Sequence, residues 1–210
     1  MSTLNRGKFI TFEGIDGCGK STQVRLLVEK LEQLDIDVIT IREPGGTRIS
    51  ESIRDILLYR DTHELGERTE SLLMTASRAQ LTKEVILPAL KKGTWVFSDR
   101  YADSTLAYQG GGREIEVDWL EKLNQFATYD TVPDLTFFID ILPDEGVRRQ
   151  KTKLDRIEQA GIDFQSSVRN LYLKLAEKYS DRIIIIDGQE DINKIHKNIW
   201  KEFEQRMLEK

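Results

Sequence analysis

Residues 8–21 read Lys8-Phe9-Ile10-Thr11-Phe12-Glu13-Gly14-Ile15-Asp16-Gly17-Cys18-Gly19-Lys20-Ser21. A short apolar run, Lys8–Glu13, ends at glycine. After the glycine-rich octapeptide Gly14 to Ser21 comes a segment whose Val24, Leu27, Val28, Leu31 and Leu34 fall on one helical face. The octapeptide fits G-x-x-x-x-G-K-[ST] in full. Its position between a strand and an amphipathic helix separates a phosphate-binding loop from an ordinary glycine turn. Glycines let the backbone curl so that successive N–H groups converge on phosphate oxygens, and the helix presents its positive end to the same anion. Gly14, Ile15, Asp16, Gly17, Cys18, Gly19, Lys20, Ser21 and Thr22 are therefore expected to bind ATP. Lys20 would serve the β- and γ-phosphates, and the Ser21 hydroxyl would serve Mg²⁺.

Working outward, Asp37–Ile41, Thr94–Ser98, Leu135–Ile139 and Arg182–Ile186 bring the strand-like runs to five. They are continuous rather than alternating, as strands covered on both faces are. Helical patterns lie between them: Leu72, Ala76, Ala79, Ile86 and Leu90; then Val117, Leu120, Leu123 and Ala127; finally Ile192, Ile195, Ile199 and Phe203. Strand–helix alternation predicts an α/β fold of the P-loop NTPase class, a five-stranded parallel sheet with helices on both faces. At 210 residues, with no linker or repeat, residues 1–210 are read as one domain. The chain shows no signal-peptide h-region and no apolar run of membrane-spanning length, and Cys18 is its one cysteine. These features predict a cytoplasmic location without membrane attachment. A net charge of −5 argues against nucleic acid as partner.

Asp99, directly after a strand, is placed to hold a hydrated metal together with Ser21, although a strand-end Asp also serves as a helix cap. Adjacent Arg100 favours the metal reading, since a carboxylate and a guanidinium at one strand end suit phosphoryl transfer between two anions. Residues 148–158 concentrate Arg148, Arg149, Lys151, Lys153 and Arg156, which reads either as a solvated helix end or as a lid. Cys18 stands at a helix N-terminus beside Lys20, where a thiolate is favoured, with Asp16 opposing; a maleimide is expected to inactivate and Mg·ATP to protect. His63 and His196 have no partners at metal-ligand spacing. No N-K-x-D guanine-reading segment and no G-x-S-x-G elbow occurs.

From Phe9 to about residue 179 the chain resembles the thymidylate kinase family. The resemblance rests on Phe12-Glu13-Gly14, Arg42-Glu43-Pro44-Gly45-Gly46, Ala76-Ser77-Arg78, Asp99-Arg100-Tyr101, Ser104 with Ala107-Tyr108-Gln109-Gly110, Pro133-Asp134-Leu135, and Asp155-Arg156. It implies a kinase that phosphorylates dTMP to dTDP with ATP and Mg²⁺, in dTTP synthesis. Asp16 would meet the acceptor's 3′-hydroxyl, Arg54 and Arg100 its phosphate, and Arg78 the thymine edge, with Ser104 and Gln109 nearby. Tyr108 would lie beside the sugar and disfavour a 2′-hydroxyl; Glu43, Pro44 and Met74 complete the dTMP set. Residues 148–158 would form a lid, with Lys153 the catalytic cation alongside Lys20, Asp99 and Arg100, and the helix of Arg78 would contribute to a homodimer. The chain departs from the pattern in three respects. Met74 replaces a phenylalanine that stacks on thymine. Gly17 stands where eukaryotic members carry an arginine, which implies the bacterial type. The lid offers Lys151 and Lys153 where relatives have arginines. A kinase acting on dUMP or a deoxynucleoside is the nearest alternative reading. A non-catalytic nucleotide-binding regulator is a more distant one, opposed by intact Lys20, Ser21, Asp99 and Arg100.

Overall fold

A computed structural model describes residues 6–58, 65–150, 156–157 and 160–209. Five strands, β1 (Phe9–Glu13), β2 (Val38–Arg42), β3 (Trp95–Asp99), β4 (Leu135–Asp140) and β5 (Ile183–Asp187), form one sheet in the order β2-β3-β1-β4-β5, every pair parallel. Each strand read from the sequence lies within a residue of its observed span. Nine α-helical segments can be assigned among the described residues: α1 (Lys20–Glu32), α2 (Arg48–Leu58), α3 (Glu67–Leu81), α4 (Leu87–Lys92), α5 (Ala102–Thr105), α6 (Val117–Ala127), α7 (Pro143–Arg149), α8 (Ile162–Lys178) and α9 (Ile192–Phe203). Wide π-type turns at Thr82–Ile86 and Leu106–Gly112 join α3 to α4 and extend α5.

Alternation along the strands gives the two sheet faces different characters. On one, Phe12, Phe97 and Phe137 pack together, with Phe203 of α9 against Phe97 at a 6.0 Å ring separation. Each is fully buried, which stabilises the fold by about 1.5–3 kcal/mol per ring. The other face, which packs Phe138 on Tyr172 of α8, carries a buried polar row: Thr11, Glu13, Ser98 and Thr136. The Thr11 and Thr136 hydroxyls pair across neighbouring strands at 2.7 Å. That row leads to the carboxyl ends of the strands, where the site lies.

Two periodicity readings are corrected. Leu34 lies beyond the end of α1 and is exposed, because the helix stops at Glu32. Leu72 and Ala76 are exposed as well; α3 buries Glu70, Ser71, Thr75, Ser77 and Arg78 instead, with Leu81 its one fully buried apolar residue. Glu70, Ser77 and Arg78 of this stripe bond residues around the cleft, whereas the Ser71 and Thr75 hydroxyls bond carbonyls of their own helix, and apolar spacing alone does not reveal which face turns inward.

Candidate active site

A cleft of about 430 Å³ opens at the carboxyl ends of β1, β2 and β3. Among the residues expected there, Asp16, Gly17, Gly19, Lys20, Ser21, Thr22, Glu43, Pro44, Arg54, Met74, Arg78, Asp99, Arg100, Ser104, Tyr108 and Gln109 line it. Ile15 and Cys18 turn their side chains into the core. Lys151, Lys153, Asp155 and Glu158 lie outside the described residues.

The loop after β1 takes positive φ at Gly14, Gly17 and Gly19, conformations that only glycine adopts without strain. Lys20 begins α1, and its ammonium bonds the carbonyl oxygens of Gly14 and Ile15, each at 3.1 Å, inside the curl. A Cβ on Gly17 would collide with the carbonyl oxygen of Gly146 in α7. A loop arginine at position 17 is thus excluded unless α7 moves, which explains that departure in packing terms.

The Ser21 hydroxyl donates to Asp99 Oδ2 at 2.5 Å. Asp99 closes β3 beside Arg42 of β2 and Phe12 of β1, so strand register brings it to the phosphate loop. The two oxygens form a small, hard donor pair. No group of three or more His, Cys, Asp or Glu that could hold a metal is found among the described residues. That sparse set fits a cation such as Mg²⁺, which keeps several waters and shares substrate phosphates.

Arg100 adopts a left-handed backbone, φ 72°, and the Ser98 hydroxyl donates to its carbonyl at 2.6 Å. For a non-glycine residue this is a strained state that the surroundings must hold. It turns the guanidinium back over the strand end, where it donates to Asp16 Oδ1 at 2.5 Å, Tyr108 Oη at 2.9 Å, the Gly14 carbonyl at 3.1 Å and Ser104 Oγ at 3.2 Å. Tyr108 in turn donates to Asp16 Oδ2 at 3.0 Å. Burial acts to raise the Asp16 carboxyl, but the Arg100 and Lys20 charges outweigh it and hold the group below the usual carboxylate range. Arg54, from α2, donates to the Pro44 carbonyl at 2.8 Å and lines the same cleft.

Arg78 is fully buried and makes four hydrogen bonds: Nε to Glu43 Oε2 (2.8 Å), Nη1 to Thr105 Oγ1 (2.6 Å) and Asn124 Oδ1 (2.7 Å), and Nη2 to the Tyr101 carbonyl (2.8 Å), while Nη2 also lies 2.6 Å from Glu43 Oε2 as an ion pair. For Arg78 to reach a base directly, one of these bonds must be shared or exchanged. Ser104 serves Arg100 from below, donating to Glu13 and lying 2.9 Å from Tyr172 Oη, whereas Thr105 meets Arg78 at the cleft wall.

Sequence reasoning assigned no role to Glu13, Glu70, Thr105 or Asn124. Glu13 had a local signal, a glutamate ending a buried strand. The others had none, because their partners are distant in sequence. Glu13 accepts from the Tyr101 backbone N–H (2.7 Å), Ser104 (2.6 Å) and Tyr172 (2.7 Å). Burial, with the Asp103 charge adding, pushes its pKa from 4.5 up to about 7. Folded Glu13 therefore holds its proton more tightly than the unfolded chain does, so its contribution to stability falls as pH rises from 4.5 to about 7 and levels off above. Glu13→Gln is expected to remove that slope. Urea unfolding at pH 5 and 7.5 should show the wild type losing on the order of 2–3 kcal/mol more than the variant between the two. Equal losses in both proteins would refute it.

The expectation for Cys18 is overturned. The thiol is 1% exposed, and burial pushes it up, with Lys20 and Arg100 only partly offsetting that. A maleimide should label the folded protein slowly and the urea-unfolded chain fast. Stoichiometric labelling under native conditions would contradict this burial.

A family model described as thymidylate kinase matches residues 12–199. The chain is 50% identical over 196 residues to a thymidylate kinase of Fervidobacterium nodosum, covering 93% of this chain and 98% of that protein. It is 47% identical over 201 residues to one of Caldanaerobacter subterraneus subsp. tengcongensis, covering 95% and 96%. A crystal structure of thymidylate kinase from Ehrlichia chaffeensis matches it with a TM-score of 0.79 at 35% identity, over 95% of this chain and 99% of that one. With the phosphate loop, the Ser21–Asp99 pair and the Arg54–Arg100 cleft all in place, the chain belongs to the thymidylate kinase family.

Proposed function

We propose that this protein transfers the γ-phosphoryl group of ATP to the phosphate of dTMP, with Mg²⁺, in dTTP synthesis. One observation carries the reading. A single cleft joins the phosphate loop and the Ser21–Asp99 pair to two guanidinium groups, Arg54 and Arg100, and ends in a wall of Met74, Arg78, Thr105 and Gln109. The acceptor phosphate is already nearly dianionic at pH 7, its second pKa being about 6, so no general base is required. The work is to hold two anions in line and stabilise charge moving onto the bridging oxygen. Lys20 lies on the donor side; Arg54 and Arg100 lie on the acceptor side. Asp16, fixed by Arg100 and Tyr108, is placed to accept from the acceptor sugar. Ser21 and Asp99 would hold Mg²⁺, which when bound neutralises phosphate charge. Lys153 is the lid cation of this reading, and its mark is that Lys153→Ala lowers kcat far more than it raises KM for dTMP. A coupled ADP-release assay with ATP, Mg²⁺ and each monophosphate in turn tests the whole. dTMP should be preferred and its ribose counterpart poor, and equal turnover of CMP or AMP would sink it.

The proposed partner is a second copy of the chain. Leu72 and Ala76 are exposed on α3 at helical spacing, and Ala79 shares a shallow depression with Phe126 and Tyr129. Phe126 is 84% exposed. Apolar side chains grouped this way suit a partner surface. Light scattering should give twice the chain mass, and Phe126→Glu should halve it; a wild-type monomer would end the proposal. No helix among the described residues is long and apolar enough to cross a membrane. Cytoplasmic residence is part of the proposal, checked by recovery of the activity in the cytosolic fraction.

A further inference from the structure

Glu70, in the first turn of α3, is 1% exposed and gathers three side chains from two segments distant from it in sequence. Gln109 Nε2 donates to its Oε1 at 3.0 Å. Arg113 donates to both oxygens at 3.3 Å, and Arg156 Nη2 to Oε2. The two arginines are themselves anchored. The Arg113 guanidinium lies 4.7 Å from the Phe164 ring centroid, and Arg156 Nε donates to the Leu57 carbonyl at 3.0 Å. The carboxylate is thereby fixed in place. Burial acts to raise its pKa, but hydrogen bonds from Gln109, Arg113 and Arg156 lower it further, so the group is ionised at neutral pH.

An ionised carboxylate only accepts hydrogen bonds, whereas a glutamine amide has one donating and one accepting end of nearly equal shape. Facing Glu70, Gln109 must present its NH₂. The backbone leaves little freedom to turn away, since Gln109 lies in the wide turn Leu106–Gly112 and its carbonyl accepts from the Ile115 N–H at 3.0 Å. Gln109 also lines the cleft beside Met74, Arg78 and Thr105. The end of its amide left for a ligand is then the carbonyl oxygen, an acceptor.

We infer that Glu70 is a specificity-determining positioning residue: by engaging the donor end of Gln109 it makes the cleft wall an acceptor, which selects bases carrying a ring N–H, thymine or uracil, over cytosine, whose ring nitrogen is itself an acceptor. The inference rests on the reading of this cleft as the acceptor-nucleotide site. Facing acceptors with no shared proton disfavour cytosine, and a site built around such a hydrogen bond discriminates far better than one built on shape. Glu70 touches no substrate in this account; it acts through Gln109.

The test is the ratio of kcat/KM for dTMP over dCMP at fixed Mg·ATP, with a thermal melt to confirm folding. Glu70→Gln frees Gln109 to take either orientation, and the ratio should fall by at least about tenfold. Gln109→Glu alone opposes two carboxylates and should damage binding of both nucleotides. The double variant Glu70→Gln with Gln109→Glu exchanges donor and acceptor while keeping one negative charge on the pair. It should recover most of the wild-type ratio, a rescue that a merely structural role for Glu70 would not produce. An unchanged ratio in Glu70→Gln, or a double variant no better than Gln109→Glu, overturns the inference. If Glu70→Gln does not fold, the comparison of the double variant with Gln109→Glu decides alone. Wild-type turnover is measured first: failure on dTMP removes the acceptor reading and this inference with it. Turnover with an unmoved ratio removes only the role of Glu70.

Discussion

Replacing Lys20 with alanine is expected to lower kcat by about 10²–10³-fold and leave the fold intact. Lys20 is 7% exposed and its ammonium is bonded to the Gly14 and Ile15 carbonyl oxygens, so the charge is already inside the curl where donor phosphates would lie. A charge fixed there before reaction needs no reorganisation as negative charge develops, which is why its removal falls mainly on the transition state. The loop itself does not depend on it. Its shape comes from positive-φ glycines and from the helix start, and alanine sustains a helix better than lysine does. Steady-state kinetics, an ATP dissociation constant and circular dichroism check the three parts. A variant keeping more than half the activity at unchanged ATP affinity would show that Lys20 does not meet the transferring group.

Arg100→Ala should have the next largest effect, and on two quantities at once. Losing a guanidinium–phosphate contact is expected to weaken dTMP binding by on the order of 2–3 kcal/mol while sparing ATP. It also leaves Asp16, whose side chain is only 23% exposed, without its closest cation. Stability should fall by about 1–3 kcal/mol, less than for a fully buried pair because Asp16 keeps some water. Adding Asp16→Asn separates the two effects. The double variant should regain stability, since the uncompensated carboxylate is gone, yet remain defective in dTMP binding. Titration of each nucleotide and urea unfolding measure these independently. A loss confined to ATP would move Arg100 to the donor side.

Whatever depends on neighbours in sequence was open to reading without coordinates. The phosphate loop is one example, because curling a backbone around an anion takes glycines at fixed spacing and a helix directly after. The five strands are another, since burial on both faces requires apolar runs, and Asp99 with Arg100 followed from the end of one of them. Tertiary packing decided the rest. The face of α3 that turns inward is polar, so hydrophobic spacing pointed to the exposed one. The burial of Cys18 comes from core packing around the loop, and that burial outweighs the nearby positive charges in pushing the thiol up. Whether position 17 can hold an arginine is decided by the approach of Gly146, 129 residues further on. Arg78 and Glu70 show the limit most plainly: their partners lie 23 to 86 residues away, beyond any local pattern. Short-range geometry is written in residue order, because adjacent φ, ψ and side-chain spacing produce it directly. The orientation of a buried amide or guanidinium is settled only when distant donors and acceptors are brought together and each must find a partner.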